Sequence, residues 1–555
     1  MKIFQEKNPS SMHANVNPLS KAWLESNRIS NKYKELILKM NEEEIDKYFS
    51  YSKLSFGTAG IRATMGPGTN QINVFTYQQM SEGVARWLLN KKSNPTVIVA
   101  HDNRMNADYY AMVIAKTLTS FGIKVFLYKE NQIKATPIIS YSVRETGVDA
   151  AIIATASHNP KNYLGFKVYN HTGGQILDSE ANEIVSSMPE CQTIIDNVYT
   201  PNMDLISYFD DTITESYFEA SYRCLINTNI YRQKNFPVIL TTHHGTASYD
   251  LPYLLKSIGY ENIILAAQQC VPDPNFTYSA NFNPEDKASF DLSLKYAEKY
   301  RANIMLGVDP DSDRLAVVVR HKNKWHYLTG NQMGIIFTHY VLTNKKFDKT
   351  PFVVSTFVST NYIDRIAEKY NAKVFRTPTG FKWVGNEMNK HIDKMDFVVG
   401  FEEAIGSLNS DIGRDKDGFQ AAALALEVYT MLYDQEKTLV DYLDEIFEEF
   451  GAWTGETVSY KIESLNWKEE MQEKMDKFAN VKNKDILGLE IKGIRWNEPA
   501  QALEWYLEND MWVKFRLSGT EPKFKIYYEI YGETKEICDQ ILKALKDEFE
   551  YMLRS

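Results

Sequence analysis

The chain has 555 residues, 44% of them apolar and 24% charged, with a formal net charge of −10. That length exceeds one ordinary core and predicts roughly three to five domains. The acidic balance, with no dense Lys/Arg cluster, argues against a nucleic-acid-binding protein, and no apolar run approaches the ~18 residues of a membrane span.

Four scattered cysteines, Cys191, Cys224, Cys270 and Cys538, form neither a CxxC metal pair nor a disulfide framework. The first residues, MKIFQEKNPSSMHANV, lack the apolar centre of a secretory signal. The expected location is the cytoplasm.

Residues 19–50 carry a helical pattern rich in Glu and Lys. Beyond them, short Val/Ile-rich runs alternate with longer helical stretches such as 107–120 and 290–300. The runs at 96–100, 150–154, 236–240, 304–308, 352–355 and 397–399 read as buried strands. Strand–helix alternation of this kind implies βαβ units in mixed or mostly parallel sheets. Three successive segments each hold two such runs ending in an unusual polar loop, and ligands of open α/β sheets gather beyond the carboxyl ends of strands. After about residue 455 the texture changes to a smaller α+β pattern with a strand-like run at 525–530.

Five loops carry chemistry. Phe56-Gly-Thr-Ala-Gly-Ile-Arg62 combines glycines that permit close backbone approach with an arginine that can face an anion. Thr155-Ala-Ser-His-Asn-Pro160 follows an apolar run and sets Ser157 where a strand gives way to a loop; His158 adjoins it, and Lys167 follows. Taken alone it is also ordinary turn chemistry, and the G-x-S-x-G elbow of serine hydrolases is missing. Asp309-Pro-Asp-Ser-Asp-Arg314 places three carboxylates at alternate positions. They would repel one another unless a hard cation such as Mg²⁺ or Ca²⁺ neutralised them. An EF-hand loop would need glycine at 314 and glutamate at 320, and both are arginine.

Gly400-Phe-Glu-Glu-Ala-Ile-Gly406, followed by Arg414-Asp-Lys-Asp-Gly418, offers adjacent carboxylates suited to sugar hydroxyls. Arg516-Leu-Ser-Gly-Thr-Glu-Pro-Lys523 packs two cations, two hydroxyls and a glycine into a compact anion site.

In this order the five loops resemble the α-D-phosphohexomutase superfamily, over about residues 56–530. Supporting pieces are His101-Asp-Asn-Arg104, Thr136-Pro137, Asn283-Pro-Glu285, Thr329-Gly-Asn-Gln332 and Thr377-Pro-Thr-Gly-Phe-Lys382. The resemblance is closest to the phosphoglucomutase branch that includes phosphomannomutase-like and phosphopentomutase-like members. It implies an α/β protein: three related α/β domains with mixed sheets (1–205, 206–325, 326–453) plus a smaller α+β C-terminal domain (454–555).

The resemblance also implies a magnesium-dependent mutase whose phosphoryl group is carried on Ser157, with a sugar 1,6-bisphosphate as intermediate and activator. Arg62, His158, Lys167 and Arg314 would surround the reacting groups. Asp309, Asp311 and Asp313, with Ser157, would hold Mg²⁺. Gly380, Glu402, Glu403, Lys416, Arg516, Ser518, Gly519, Thr520 and Lys523 would bind substrate. The expected partners are hexose or pentose phosphates, with glucose 1- and 6-phosphate foremost, and neither nucleic acid nor membrane; the oligomeric state stays open.

Two positions depart from the family pattern. Ala404 stands where many relatives have serine, and Leu164 where an Asn is frequent; the first bears on sugar selectivity. Mannose or pentose phosphates as main substrates, bisphosphate synthesis, an aspartyl-nucleophile phosphatase at Asp309 and a catalytically silent relative are the competing readings.

Overall fold

The computed structural model describes residues 17–57, 60–227, 235–461, 466–517 and 523–554. The helical pattern at 19–50 is three helices, Pro18–Glu25, Asn31–Lys39 and Glu42–Tyr48. Capping side chains make the breaks: Ser30 accepts from the Tyr33 N–H, and Asn41 forms a reciprocal box with Glu44, so each restarts a helix instead of continuing one. Among the described residues no helix is long and apolar enough to cross a membrane.

Among the described residues four sheets follow along the chain. The first orders its strands Ile61–Thr64, Tyr163–Asn170, Ala150–Ala154, Thr96–His101, Lys124–Tyr128 and Ile206–Phe209, the first two pairings antiparallel and the rest parallel. The second runs Lys324–Tyr327, Leu315–His321, Ile304–Val308, Val238–Thr241, Ile263–Leu265, again with two antiparallel pairings and then parallel ones. The third runs Lys373–Thr377, Pro351–Thr356, Asp396–Glu402, Gly406–Leu408, with the last pairing antiparallel. Strands such as Ala150–Ala154, Ile304–Val308 and Pro351–Thr356 are buried at every position, so both faces are covered and their sequences read as continuous apolar runs. These are three α/β units with mixed sheets. The fourth sheet is wholly antiparallel, six strands from Ala452–Lys461 to Asp485–Ile486, with helices Trp467–Ala479 and Lys535–Arg554.

The first sheet reaches Phe209, past the boundary expected at 205, because Ile206–Phe209 adds to Lys124–Tyr128 and the Phe209 ring stacks on Phe126. The fourth begins at Ala452, ahead of the boundary expected at 454.

One turn recurs in the first three sheets. A buried strand ends, a short loop follows, and the chain returns antiparallel beside the same strand: Ala150–Ala154 into Tyr163–Asn170, Ile304–Val308 into Leu315–His321, Asp396–Glu402 into Gly406–Leu408. Each loop holds a non-glycine residue in the left-handed region: Ser157 (φ 49°), Ser312 (φ 64°) and Ile405 (φ 52°). Each such residue costs on the order of 1–2 kcal/mol, most for the β-branched Ile405, and the surrounding bonds must hold it there.

The fourth sheet joins the third unit through a buried carboxylate. Glu529 Oε1 accepts from the Thr360 hydroxyl (2.8 Å), the Asn361 N–H (2.9 Å) and the Tyr531 hydroxyl (2.7 Å). Glu529→Ala strands three donors, two of them buried, and should cost about 2–4 kcal/mol, with Glu529→Gln milder. Thermal unfolding checks this, and an unchanged melting temperature in the alanine variant would refute the latch.

Candidate active site

The loop after Ala150–Ala154 presents Ser157, 1% exposed. Its hydroxyl donates to Asp309 Oδ2 at 2.8 Å and lies 3.1 Å from His158 Nδ1, which donates or accepts according to its tautomer. Burial holds the His158 imidazole well below its ordinary pKa, and the Arg314 and Arg62 guanidiniums act in the same direction. These charges and the burial favour the neutral form of the His158 ring. Gly165, in the return strand, has no room for a side chain: a Cβ there would lie 2.4 Å from the carbonyl oxygens of Ile61 and Thr155. Arg62 Nη1 donates to Asn159 Oδ1 at 2.7 Å, so the first glycine-containing loop does abut the serine loop.

Asp309, Asp311 and Asp313 are buried, each offering an oxygen within 4.8 Å of the others. Lys167 Nζ reaches Asp311 Oδ2 (2.6 Å) and Asp313 Oδ2 (3.2 Å), and Lys416 Nζ reaches Asp313 Oδ2 (3.2 Å). Two ammoniums therefore face three carboxylates. Burial drives Asp309 well above the ordinary carboxylate range, and its neighbours Asp311 and Asp313 add to that. Burial pushes Asp311 upward too, but the Lys167 charge and hydrogen bond prevail and hold it low.

Asp311 Oδ1 and Asp313 Oδ1 are buried without a hydrogen-bond partner. An all-oxygen set of three buried carboxylates with two orphaned oxygens fits a hard divalent cation.

Backbone around the carboxylate loop is tightly fixed. Gly245 lies so close that a Cβ would sit 2.4 Å from Pro310 Cα. The Thr246 N–H and hydroxyl both donate to Pro310 O, and the Thr136 N–H from the first unit donates to Asp311 O. Arg314 gives its N–H to Asp309 Oδ1 (3.0 Å) and its guanidinium to Glu285 (3.3 Å).

In the third unit, Glu402 Oε1 accepts the Gly380 N–H at 2.8 Å, which ties together two residues expected to bind substrate. Burial raises the Glu403 pKa, and the charges of Lys525 and Arg516 in the fourth sheet oppose it, so that sheet's cations face this loop. Ala404 is half-buried. Lys416 stands between Asp313 and Asp415, and Asp415 in turn accepts from Tyr169 and Gln175 of the first unit. Ser518, Gly519 and Thr520 lie outside the described residues; Arg516 and Lys523 flank them at strand ends.

Sequence reading missed several residues that hold this arrangement. Asp102 and Arg104 brace the serine loop, Glu285 holds Arg314, and Asp415 holds Lys416. The His101-Asp-Asn-Arg104 and Asn283-Pro-Glu285 motifs were the available signals, but neither carries a role in its local pattern.

The comparisons bear on the whole chain. Residues 53–193, 215–323 and 329–450 match the family models for phosphoglucomutase/phosphomannomutase alpha/beta/alpha domains I, II and III. A phosphomannomutase from Mycoplasmoides pirum is 44% identical over 97% of this chain and 99% of its own. A phosphoglucomutase from Staphylococcus aureus (strain MRSA252) is 31% identical over 86% of this chain and 90% of its own. The crystal structure of the Paramecium phosphoglucomutase parafusin, in its open form, shares the fold with a TM-score of 0.71 at 17% identity, covering 91% of this chain and 96% of that one.

The buried charge cluster makes a direct prediction. Lys167→Ala leaves two buried carboxylates with Lys416 alone and should cost about 3–5 kcal/mol in chelator. A saturating divalent cation should raise the variant's melting temperature more than the parent's, by mass action on the folded state. An unchanged melting temperature in chelator, or equal shifts with cation, would show that Lys167 does not balance this cluster.

Proposed function

The chain belongs to the phosphoglucomutase/phosphomannomutase family, the α-D-phosphohexomutases, and on that premise we propose that it interconverts hexose 1-phosphates and 6-phosphates through a phosphoserine at Ser157. Such an enzyme is an intramolecular phosphotransferase. The observation that carries the reading is the Ser157 hydroxyl, held at φ 49° and 2.8 Å from Asp309 within the three-carboxylate group. An aspartyl nucleophile at Asp309 is disfavoured, because Asp309 Oδ1 takes the Arg314 N–H and Oδ2 the Ser157 hydroxyl.

Each half-reaction breaks one P–O bond and makes one. The phosphoryl group leaves the Ser157 oxygen for a free hydroxyl of the sugar monophosphate, giving a 1,6-bisphosphate. The bisphosphate then returns its other phosphoryl group to Ser157. The proton released or taken up at Ser157 has His158 Nδ1 and Asp309 Oδ2 within reach. Lys167, Arg62 and Arg314 supply fixed positive charge around the transferring group, and phosphoryl transfer depends mainly on such positioning and charge. Asp309, Asp311 and Asp313 would hold Mg²⁺, which would supply further positive charge to the transferring phosphoryl group.

Arg516 and Lys523, with Ser518, Gly519 and Thr520, are assigned to the substrate's non-reacting phosphate. Glu402, Glu403, Gly380 and Lys416 are assigned to the sugar. A phosphate clamp reads a group common to all sugar phosphates, so it cannot choose among them; hydroxyl contacts must. Ala404 offers no side-chain donor or acceptor, and one missing hydroxyl contact is worth on the order of 1 kcal/mol, or several-fold in rate ratio. We therefore assign both glucose and mannose phosphates as substrates, with glucose favoured and pentose phosphates slower. The chemistry belongs to sugar metabolism.

Ser157→Ala should abolish turnover and remove one phosphate adduct from the intact mass while leaving thermal unfolding nearly unchanged. Turnover near the parent's in that variant would sink the mechanism. Asp311→Asn should weaken the apparent Mg²⁺ affinity, read as the cation concentration for half-maximal rate. Full activity in exhaustively chelated enzyme would refute the cation assignment.

Selectivity has its own test. Ala404→Ser should raise the kcat/KM ratio of glucose 1-phosphate over mannose 1-phosphate by several-fold. An unchanged ratio, or a thousandfold preference in the parent enzyme, would count against the role given to Ala404.

A further inference from the structure

The loop that carries Ser157 is gripped from behind by a single side chain. Arg104 Nη1 donates to the carbonyls of Pro160 (2.8 Å) and Tyr163 (3.0 Å), and Nη2 donates to those of Ser157 (2.6 Å) and Asn159. All four hydrogens of the two terminal nitrogens are thus spent on one loop. The remaining nitrogen, Nε, lies 3.3 Å from Asp102 Oδ2. Arg104 is 2% exposed and Asp102 1%.

The same aspartate governs the other side of the serine. Asp102 Oδ1 accepts the Arg104 N–H (2.9 Å), and Oδ2 accepts the Thr155 hydroxyl (2.6 Å). The Thr155 oxygen in turn accepts the Ser157 N–H at 2.9 Å. Both peptide groups that flank Ser157 are therefore fixed from one ion pair: the N–H through Thr155 and the C=O through Arg104. A residue held at φ 49° needs such bracing, because an L-residue relaxes out of the left-handed region when its neighbours let it.

The brace also spans two units. The guanidinium carbon lies 5.4 Å from the Phe276 ring centre and 5.7 Å from that of Phe282, which stack on each other at 4.3 Å. Both rings come from the second unit, which also supplies Asp309. Asn103 Nδ2 adds a bond to Asp273 O of the same segment at 3.1 Å.

We infer that Arg104 is a positioning residue for phosphoryl transfer: braced by Asp102 and covered by Phe276 and Phe282, it fixes the Ser157 oxygen against the carboxylate loop of the second unit. The inference rests on the phosphoserine reading of Ser157. Lysine cannot replace it, because one compact ammonium with three hydrogens cannot span four carbonyls set out for a planar fork. Misplacing a reacting atom by about 1 Å costs on the order of a hundredfold in rate.

The test compares the full-length parent enzyme with Arg104→Lys and Thr155→Val, in Mg²⁺ and with glucose 1-phosphate. Both variants should lose about a hundredfold in kcat with KM little changed, and the ³¹P resonance of their phosphoserine should move or broaden. Added guanidinium ion should recover part of the kcat of Arg104→Ala and leave Thr155→Val unmoved.

A merely structural arginine would lower the melting temperature and the fraction of active enzyme, with the ³¹P signal of the folded fraction unchanged. That result, or parental kcat in Arg104→Lys, overturns the inference. Should Arg104→Lys fail to fold, Thr155→Val decides, and a parental kcat there overturns it equally. A parent enzyme that carries no phosphate on Ser157 overturns the phosphoserine reading and this inference with it. A parent phosphoenzyme beside an unaffected Arg104→Lys overturns the inference alone.

Discussion

Three carboxylates buried within five residues of chain are the constraint on which this molecule turns. Buried and unpaired, Asp309, Asp311 and Asp313 would each be charged at a cost of several kcal/mol. No one segment supplies the compensation. Lys167 comes from the antiparallel return strand of the first unit and Lys416 from the segment before the helix Gly418–Tyr433 in the third, while the carboxylates belong to the second. The three units must meet at this point for the charges to balance. The neighbouring bonds have the same character: Thr136 of the first unit caps Asp311 O, and Tyr169 and Gln175 of the first hold Asp415 of the third. The cluster is therefore the joint of the first three units.

The turn that recurs in those units explains how the joint is built. A central strand that runs straight into an antiparallel neighbour leaves room for only a short loop, and the loop must reverse at the carboxyl end of the sheet. A left-handed residue accomplishes the reversal in each case, at Ser157, Ser312 and Ile405. None is glycine, so each conformation is held from outside: Ser157 by Thr155 and Arg104, Ser312 by Thr246, and Ile405 by the Leu315 N–H that its carbonyl accepts. Strain at the reversal and bracing around it go together, as they do where a reacting atom has to stay in one place.

How far this was readable in the sequence follows from the range of the interactions. The central strands were legible because burial on both faces makes them uninterrupted apolar runs; 150–154 and 304–308 are strands to the residue. The loops were legible because their residue types are chemically unusual in one short stretch. The helix breaks at Ser30 and Asn41 were not, since two capping side chains interrupt an otherwise continuous Glu/Lys-rich pattern. Nor were the braces: Arg104 acts on carbonyls more than fifty positions away, and Asp415 on a tyrosine 246 positions away. Backbone carbonyls leave no trace in the side-chain alphabet, so a guanidinium that reads four of them looks like any other arginine.

The carboxylate cluster and the turn at 402–404 differ in how tightly they are determined. Around Ser157 and the carboxylates the backbone is closely packed, and a Cβ at Gly165 or Gly245 would collide with it. The turn at 402–404 is looser. Among the described residues Glu402 has one bond, to the Gly380 N–H; the Glu403 carboxylate has two long ones, of 3.5 Å; and Ala404 contributes no polar side-chain atom. Ala404 carries no charge, so a neutral substitution there leaves the buried charges balanced, whereas Glu402 acts on both Lys416 and Arg314. The freedom ends at Ile405, whose carbonyl takes the N–H of Leu315, the first residue of the strand that follows Arg314. A change that shifts Ile405 pulls on the carboxylate loop itself. On the proposed assignment of this turn to the sugar, preference is adjustable chiefly at Ala404 and bounded at Ile405, which would let one phosphoryl-transfer centre serve hexoses that differ in the configuration of a single hydroxyl.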